Sequence, residues 1–338
     1  MSLATTSGAP VGRDGPLPAP LVLRTERSTS DRIFRLAASS AGIGTLAVLF
    51  LIGLFLLIYS IPALHSQGLG FFTHQQWVTS GAHPTFGVAD ALYGTVVIAV
   101  VALVLALPVS FASAIFISQY APTRVLRFIP LRRLLITLVD LMAAVPSVIF
   151  GLWGFFVLQP RESNLAQWMA AHLSFIPIFK VQSSVFTSSY LIVGTVVGIM
   201  IVPTITSLSR EVFSLTPPGE MEGAFALGAS RASVVRRVVV PFGKGGLIGA
   251  TMLAFGRALG ETVAVAIILS LTFSISPHIL QSGGSSIAAL IVSTFGSGGA
   301  KLGTSALLAA GLVLFVFTLL VNMAASWIVT RFNQRRAS

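Results

Sequence analysis

Arg257 and Glu261 stand four residues apart in FGRALGETVAV (255–265), inside an apolar run long enough to cross a bilayer. A guanidinium at that depth costs several kcal/mol unless it faces a protein interior or a water path and finds a partner. Helical spacing puts Glu261 one turn away on the same face. Asp140, in a separate apolar run, is expected to be a third buried charge in the same cluster. Three uses are open to these groups. Arg257 can hold one helix against another through an ion pair. It can take a passing oxyanion in its planar fork, with the two carboxylates keeping affinity low, because a path must release what it admits. The same pair can also serve as a gate that breaks when the helices rock.

Ser147, Thr204 and Thr206 lie beside Pro146 and Pro203. Pro108, Pro146 and Pro203 are expected to interrupt three apolar runs and free backbone groups that need local partners. The hydroxyls either mend those kinks or line a path. Other chemistry finds no support. There is no cysteine, and the five histidines have no metal-ligand spacing, so neither a metal nor a cofactor is expected. No nucleophile–base pair stands out, which argues against an enzyme. No G-x-x-x-x-G-K-[ST] loop occurs, and GKGG at 243–246 does not fit it, so any nucleotide hydrolysis falls to another chain.

The elements that carry these residues follow from composition. The chain is 54% hydrophobic and 9% charged, against about 25% charged for a soluble domain, which makes it a polytopic membrane protein. A span needs about 20 apolar residues, and six runs qualify: 36–64, 91–117, 134–158, 188–208, 246–271 and 303–330. Residues 1–35, rich in Pro, Gly, Ser and Arg, are read as a disordered tail before a membrane domain over 36–338. The net charge of +11 does not form a nucleic-acid patch, since the basic residues fall in short segments between spans. Seventeen of them lie in the termini and in the loops between spans 2 and 3 and spans 4 and 5. Only Arg161, Lys180 and Lys301 lie on the other side. The positive-inside rule then puts both termini in the cytoplasm. Trp77, Trp168, Phe71 and Phe72 fall in outer loops, where aromatic rings suit the membrane interface, and SNLAQWMAAHL is expected to form a short interfacial helix.

After span 4 comes SREVFSLTPPGEMEGAFALGASRASVVRRVVVPFGKGG, within the loop 209–245. Pro217 and Pro218 stop one helix, and Glu220 and Glu222 begin another where carboxylates suit the dipole. Gly228 breaks that helix after about two turns, and Ser230 caps the next. The spacing Glu222, Gly223, Ala224, Gly228, Val238, Val240, Pro241 resembles the EAA loop of ABC-importer permeases, with Gly223 in place of the usual alanine. That resemblance implies a helix that docks on an ATPase subunit.

Together with AAVPSVIFGLWGFFVL, MIVPTITSLSREVF and FGRALGETVAVAI, the chain is similar to phosphate-specific permeases of the PstC type over roughly 36–330. The resemblance implies an all-α, six-span type I (MetI-like) permease that performs no covalent chemistry and imports inorganic phosphate across a bacterial plasma membrane. It also implies a second permease of PstA type, an ATPase dimer and an extracytoplasmic phosphate-binding protein. Permeases for sulfate, molybdate or an amino acid share the loop. An ion-coupled secondary transporter could use Asp140, Glu261 and Arg257 as a proton relay, but would need no ATPase dock.

Overall fold

The computed structural model describes residues 29–81, 83–122, 130–181, 185–297 and 301–334. The expected tail as far as residue 28, and Arg124, Arg127, Arg335 and Arg336, lie outside the described residues. The chain divides into two units, one ending at Leu51 and one beginning at Ile52, and α1 (Thr29–Gln67) contributes to both. In the first unit, helix replaces the expected tail from Thr29, with Asp31 in the first turn where a carboxylate suits the dipole. Its apolar side chains, from Ile33 to Leu51, are exposed, as on a lipid-facing helix.

The second unit starts with the rest of α1 and a hairpin, β1 (Trp77–Val78) against β2 (Thr85–Phe86), with Trp77 opposite Phe86. Phe71 and Phe86 are fully buried there and Trp77 packs against Phe86. Phe71 is therefore core rather than an interface anchor, whereas Phe72 and Trp168 are exposed as expected. Next come α2 (Ala89–Ile115), ending in a π-helical turn Phe116–Tyr120, and α3 (Leu131–Ala143). A continuous helical stretch then holds α4 (Ser147–Trp153), a π-turn Gly154–Leu158 and α5 (Gln159–His172). After α6 (Tyr190–Ser214) come α7 (Pro218–Ala226) and α8 (Arg231–Val234), then a π-turn Val235–Val239 leading into α9 (Val240–Leu259). Two short helices, α10 (Val263–Ile268) and α11 (Ile287–Thr294), precede α12 (Lys301–Gln334).

Among the described residues five helices are long and apolar enough to cross a membrane, and α3 with α4–α5 makes a sixth span if counted together. That pair is bent by 88°, so the run over 134–158 is interrupted at Pro146, as expected. Pro146 is the cause, because it disfavours helical geometry at the preceding residue. Pro108 and Pro203, in contrast, sit inside α2 and α6 without ending them. The interfacial segment also differs from expectation: SNLAQWMAAHL is the end of the long stretch through α5 and not a separate helix. The run expected over 246–271 ends at Leu259, and helix extends from it the other way to Arg231.

Lipid gives no hydrophobic drive between helices, so close van der Waals packing must hold the bundle. The α2–α6 contact shows how. A Cβ on Gly94 would meet the Ser285 carbonyl and the Tyr190 ring, and one on Gly194 would strike Val101. Ile98, Ala102, Val196, Val197 and Ile201 fill the seam, and Ala254, Ala258 and Leu259 of α9 join the same core. At the end of α1, Pro62 removes a helical bond. The Ser305 hydroxyl of α12 bridges the gap, accepting from the Ala63 N–H at 3.1 Å and donating to the Tyr59 carbonyl at 2.8 Å.

Candidate functional site

The loop after α6 folds as its residues dictate. Pro218 opens α7, and Gly228 takes φ +81°, a value that glycine adopts without strain. The Ser230 Oγ accepts from the Ser233 N–H at 3.3 Å and caps α8. Glu220, Glu222 and Gly223 are exposed, nothing lies within 4 Å of where a Gly223 Cβ would stand, and Ala224 is half-buried. Phe225 and Leu227 are also exposed, Leu227 to 90%, so the helix shows apolar side chains beside its carboxylates. A cavity of about 590 Å³ separates α7 from the helix that follows, lined by Leu227, Ser230, Val234 and Arg237. Pro241 follows the π-turn Val235–Val239 inside helix that is continuous from Arg231 to Leu259, and it withholds one backbone N–H there.

That helix carries Arg257 in its last turn, where a cation suits the dipole. Here the expected geometry is corrected. α9 ends at Leu259 and Gly260 closes it, so Glu261 is not on the same helical face as Arg257. Its Oε1 accepts from the Ala264 N–H at 3.4 Å, beside the start of α10. Asp140, expected to be buried, is exposed near the end of α3. Among the described residues Arg257 forms no ion pair with either carboxylate. Its Nη1 donates to Thr204 Oγ1 at 3.5 Å, a long bond, and the rest of the exposed fork is open. The expected cluster of three charges is thus one arginine and one threonine.

The two threonines beside Pro203 part company. Thr204 is half-exposed and meets Arg257. Thr206 is buried and donates to the Ser110 carbonyl of α2 at 3.4 Å, while Ser110 donates back to the Val202 carbonyl at 3.3 Å. Thr206 belongs to packing. Ser147 is half-buried at the first position of α4.

Sequence reasoning missed two buried acids. Asp90, in the first turn of α2, is 1% exposed, with the Ser285 side chain beside it but, among the described residues, no partner in good hydrogen-bond geometry for either carboxylate oxygen. Glu162 of α5 accepts from Thr195 Oγ1 at 2.6 Å with one oxygen unpartnered. Each is a lone acid at the edge of an apolar stretch, and that was the available signal.

Comparison with known proteins places this geometry in a family. Residues 111–338 match the model for the binding-protein-dependent transport system inner membrane component. The chain belongs to that family, and it is therefore the membrane part of a system that works with a binding protein. The chain is 42% identical over 303 residues to phosphate transport system permease protein PstC 2 of Mycobacterium tuberculosis, covering 87% of this chain and 90% of that one. It is 36% identical to the phosphate transport system permease protein PstC of Haemophilus influenzae, covering 83% and 87%. The MetNI methionine ABC transporter, solved in inward-facing conformations, shares the fold, with a TM-score of 0.50 at 14% identity over 71% of this chain and 94% of the other.

Proposed function

We propose that this chain is a permease subunit of an ATP-driven importer that passes inorganic phosphate into the cytoplasm of a bacterium. The observation that carries the reading is Arg257, whose fork is open at the break between α9 and α10 with Thr204 as its one hydrogen-bond partner among the described residues. A guanidinium presents paired N–H donors that match two oxygens of a phosphate. The names borne by relatives at 42% and 36% identity support the choice of anion. Arg257 and Thr204 contact the passing oxyanion. Glu261, which caps the neighbouring helix, and Asp140 keep binding weak by their charge, and the Ser147 hydroxyl serves as a donor lining the path.

The α7 helix, with Glu220, Glu222, Gly223 and Ala224, docks on an ATPase subunit of a dimer, and Gly228 and Pro241 set the turn and the entry into α9. A second permease of PstA type covers the face on which Arg257 is exposed, and an extracytoplasmic phosphate-binding protein delivers the solute. The excess of basic residues in the loops between spans 2 and 3 and spans 4 and 5 supports a topology with both termini in the cytoplasm. Labelled phosphate uptake by the assembled complex tests this reading. Excess sulfate or molybdate should leave uptake unchanged, and competition would point to another oxyanion. Uptake that collapses with a protonophore yet ignores ATP depletion would point to an ion-coupled transporter.

A further inference from the structure

α8 and α2 meet at one end of the bundle through an apolar cluster and one charged contact. Val234 and Val239 are buried with Ala114 of α2, Phe213 of α6 and Leu247 of α9. Beyond this cluster the Arg231 guanidinium lies over the Tyr120 ring, 5.8 Å from its centroid. Arg231 is the first residue of α8, and Tyr120 closes the π-turn that ends α2. A second π-turn, Val235–Val239, separates α8 from α9. Such wide turns are rare interruptions of an α-helix and are frequent at functional sites. A shift of α8 can be taken up at Val235–Val239 on the route into α9.

We propose that Arg231 and Tyr120 form the contact through which movement of α8 is delivered to α2, making both positioning residues for transport. The contact lies on the α8 side of the Val235–Val239 turn. α2 is locked to α6 along the Gly94, Gly194 and Ala102 seam, and α6 carries Thr204, the partner of Arg257. Motion entering at α8 thus has a route to Thr204, through α2 and α6, that bypasses the Val235–Val239 turn. The inference rests on the reading of α7 and α8 as the ATPase-docking element, and it is independent of which anion is carried.

The test uses the full complex in liposomes with Ser118→Cys, a half-buried position at the end of α2 in a chain that has no cysteine of its own. Maleimide labelling of this chain is timed with and without a non-hydrolysable ATP analogue. The analogue should change the rate in the otherwise native protein and equally with Tyr120→Phe, which keeps the ring. Tyr120→Leu should reduce that response roughly two- to fivefold, the range expected for an exposed cation–π contact. Arg231→Gln should do the same, and the double variant should be no worse than either single one. A full response with Tyr120→Leu overturns the proposal. So does the absence of a response in every protein, because α2 then does not follow the loop. A phosphate uptake assay on the same liposomes reads the anion separately: failed uptake with an intact labelling response would remove phosphate and leave the coupling contact standing.

Discussion

An arginine fork that lacks a carboxylate partner is able to bind and let go of an anion. Arg257 donates one long hydrogen bond to Thr204, and its charge is otherwise uncompensated by this chain among the described residues. Arg257→Gln should abolish phosphate uptake with assembly intact. Arg257→Lys should retain a part of it, because charge survives but the two-oxygen fork does not. The threonines separate path from packing. Thr204→Val should lower uptake severalfold at unchanged stability. Thr206→Val should instead lower the melting temperature, at a cost of about 1 kcal/mol for the lost bond to Ser110, while leaving uptake per folded complex near normal. Arg257 stood out in the sequence because a charge in an apolar run demands a reason. Its pairing with Glu261 was not, since a four-residue spacing implies contact only within an unbroken helix. Gly260 lay between the two as a stop signal, and the periodicity argument passed over it.

Among the elements, helix breaks decide where the charges lie. Pro146 bends α3 away from α4 and leaves Asp140 exposed, whereas Pro203 leaves α6 whole. A proline by itself does not tell these outcomes apart; what differs is whether a neighbour restores the freed backbone groups. At Pro62 the restoring group is Ser305, 242 residues from Ala63 in sequence and beyond the reach of any local pattern. Ser305→Ala should destabilise the protein by about 1–3 kcal/mol, since a buried backbone N–H is left unpaired, and a thermal-shift assay in detergent checks it. Gly94→Ala should cost a similar amount, about 1–3 kcal/mol, by forcing the α2–α6 seam apart against the Ser285 carbonyl. The loop from Pro217 to Arg231 lay at the other extreme. Proline, glycine and a serine cap each did locally what their chemistry requires, so helix, turn and helix followed directly.

At the scale of the whole molecule, the surface shows what has to be supplied by others. α7 exposes Glu222 and Phe225 one turn apart, and Leu227 is exposed just past its end, so apolar and acidic groups that fit a protein partner better than water lie close together. Glu222→Lys should leave the chain in the membrane and weaken its co-purification with the ATPase, and unchanged co-purification would count against the docking role. Arg257 is exposed in the chain taken alone, which suits a path formed only when a second permease covers that face. The most direct test of this account is labelled phosphate uptake in phosphate-starved cells lacking their own permease, complemented with the native chain or with Arg257→Gln at matched membrane levels. The account predicts uptake with the native chain and none with the variant. Equal uptake by both would contradict it and reduce Arg257 to a packing residue.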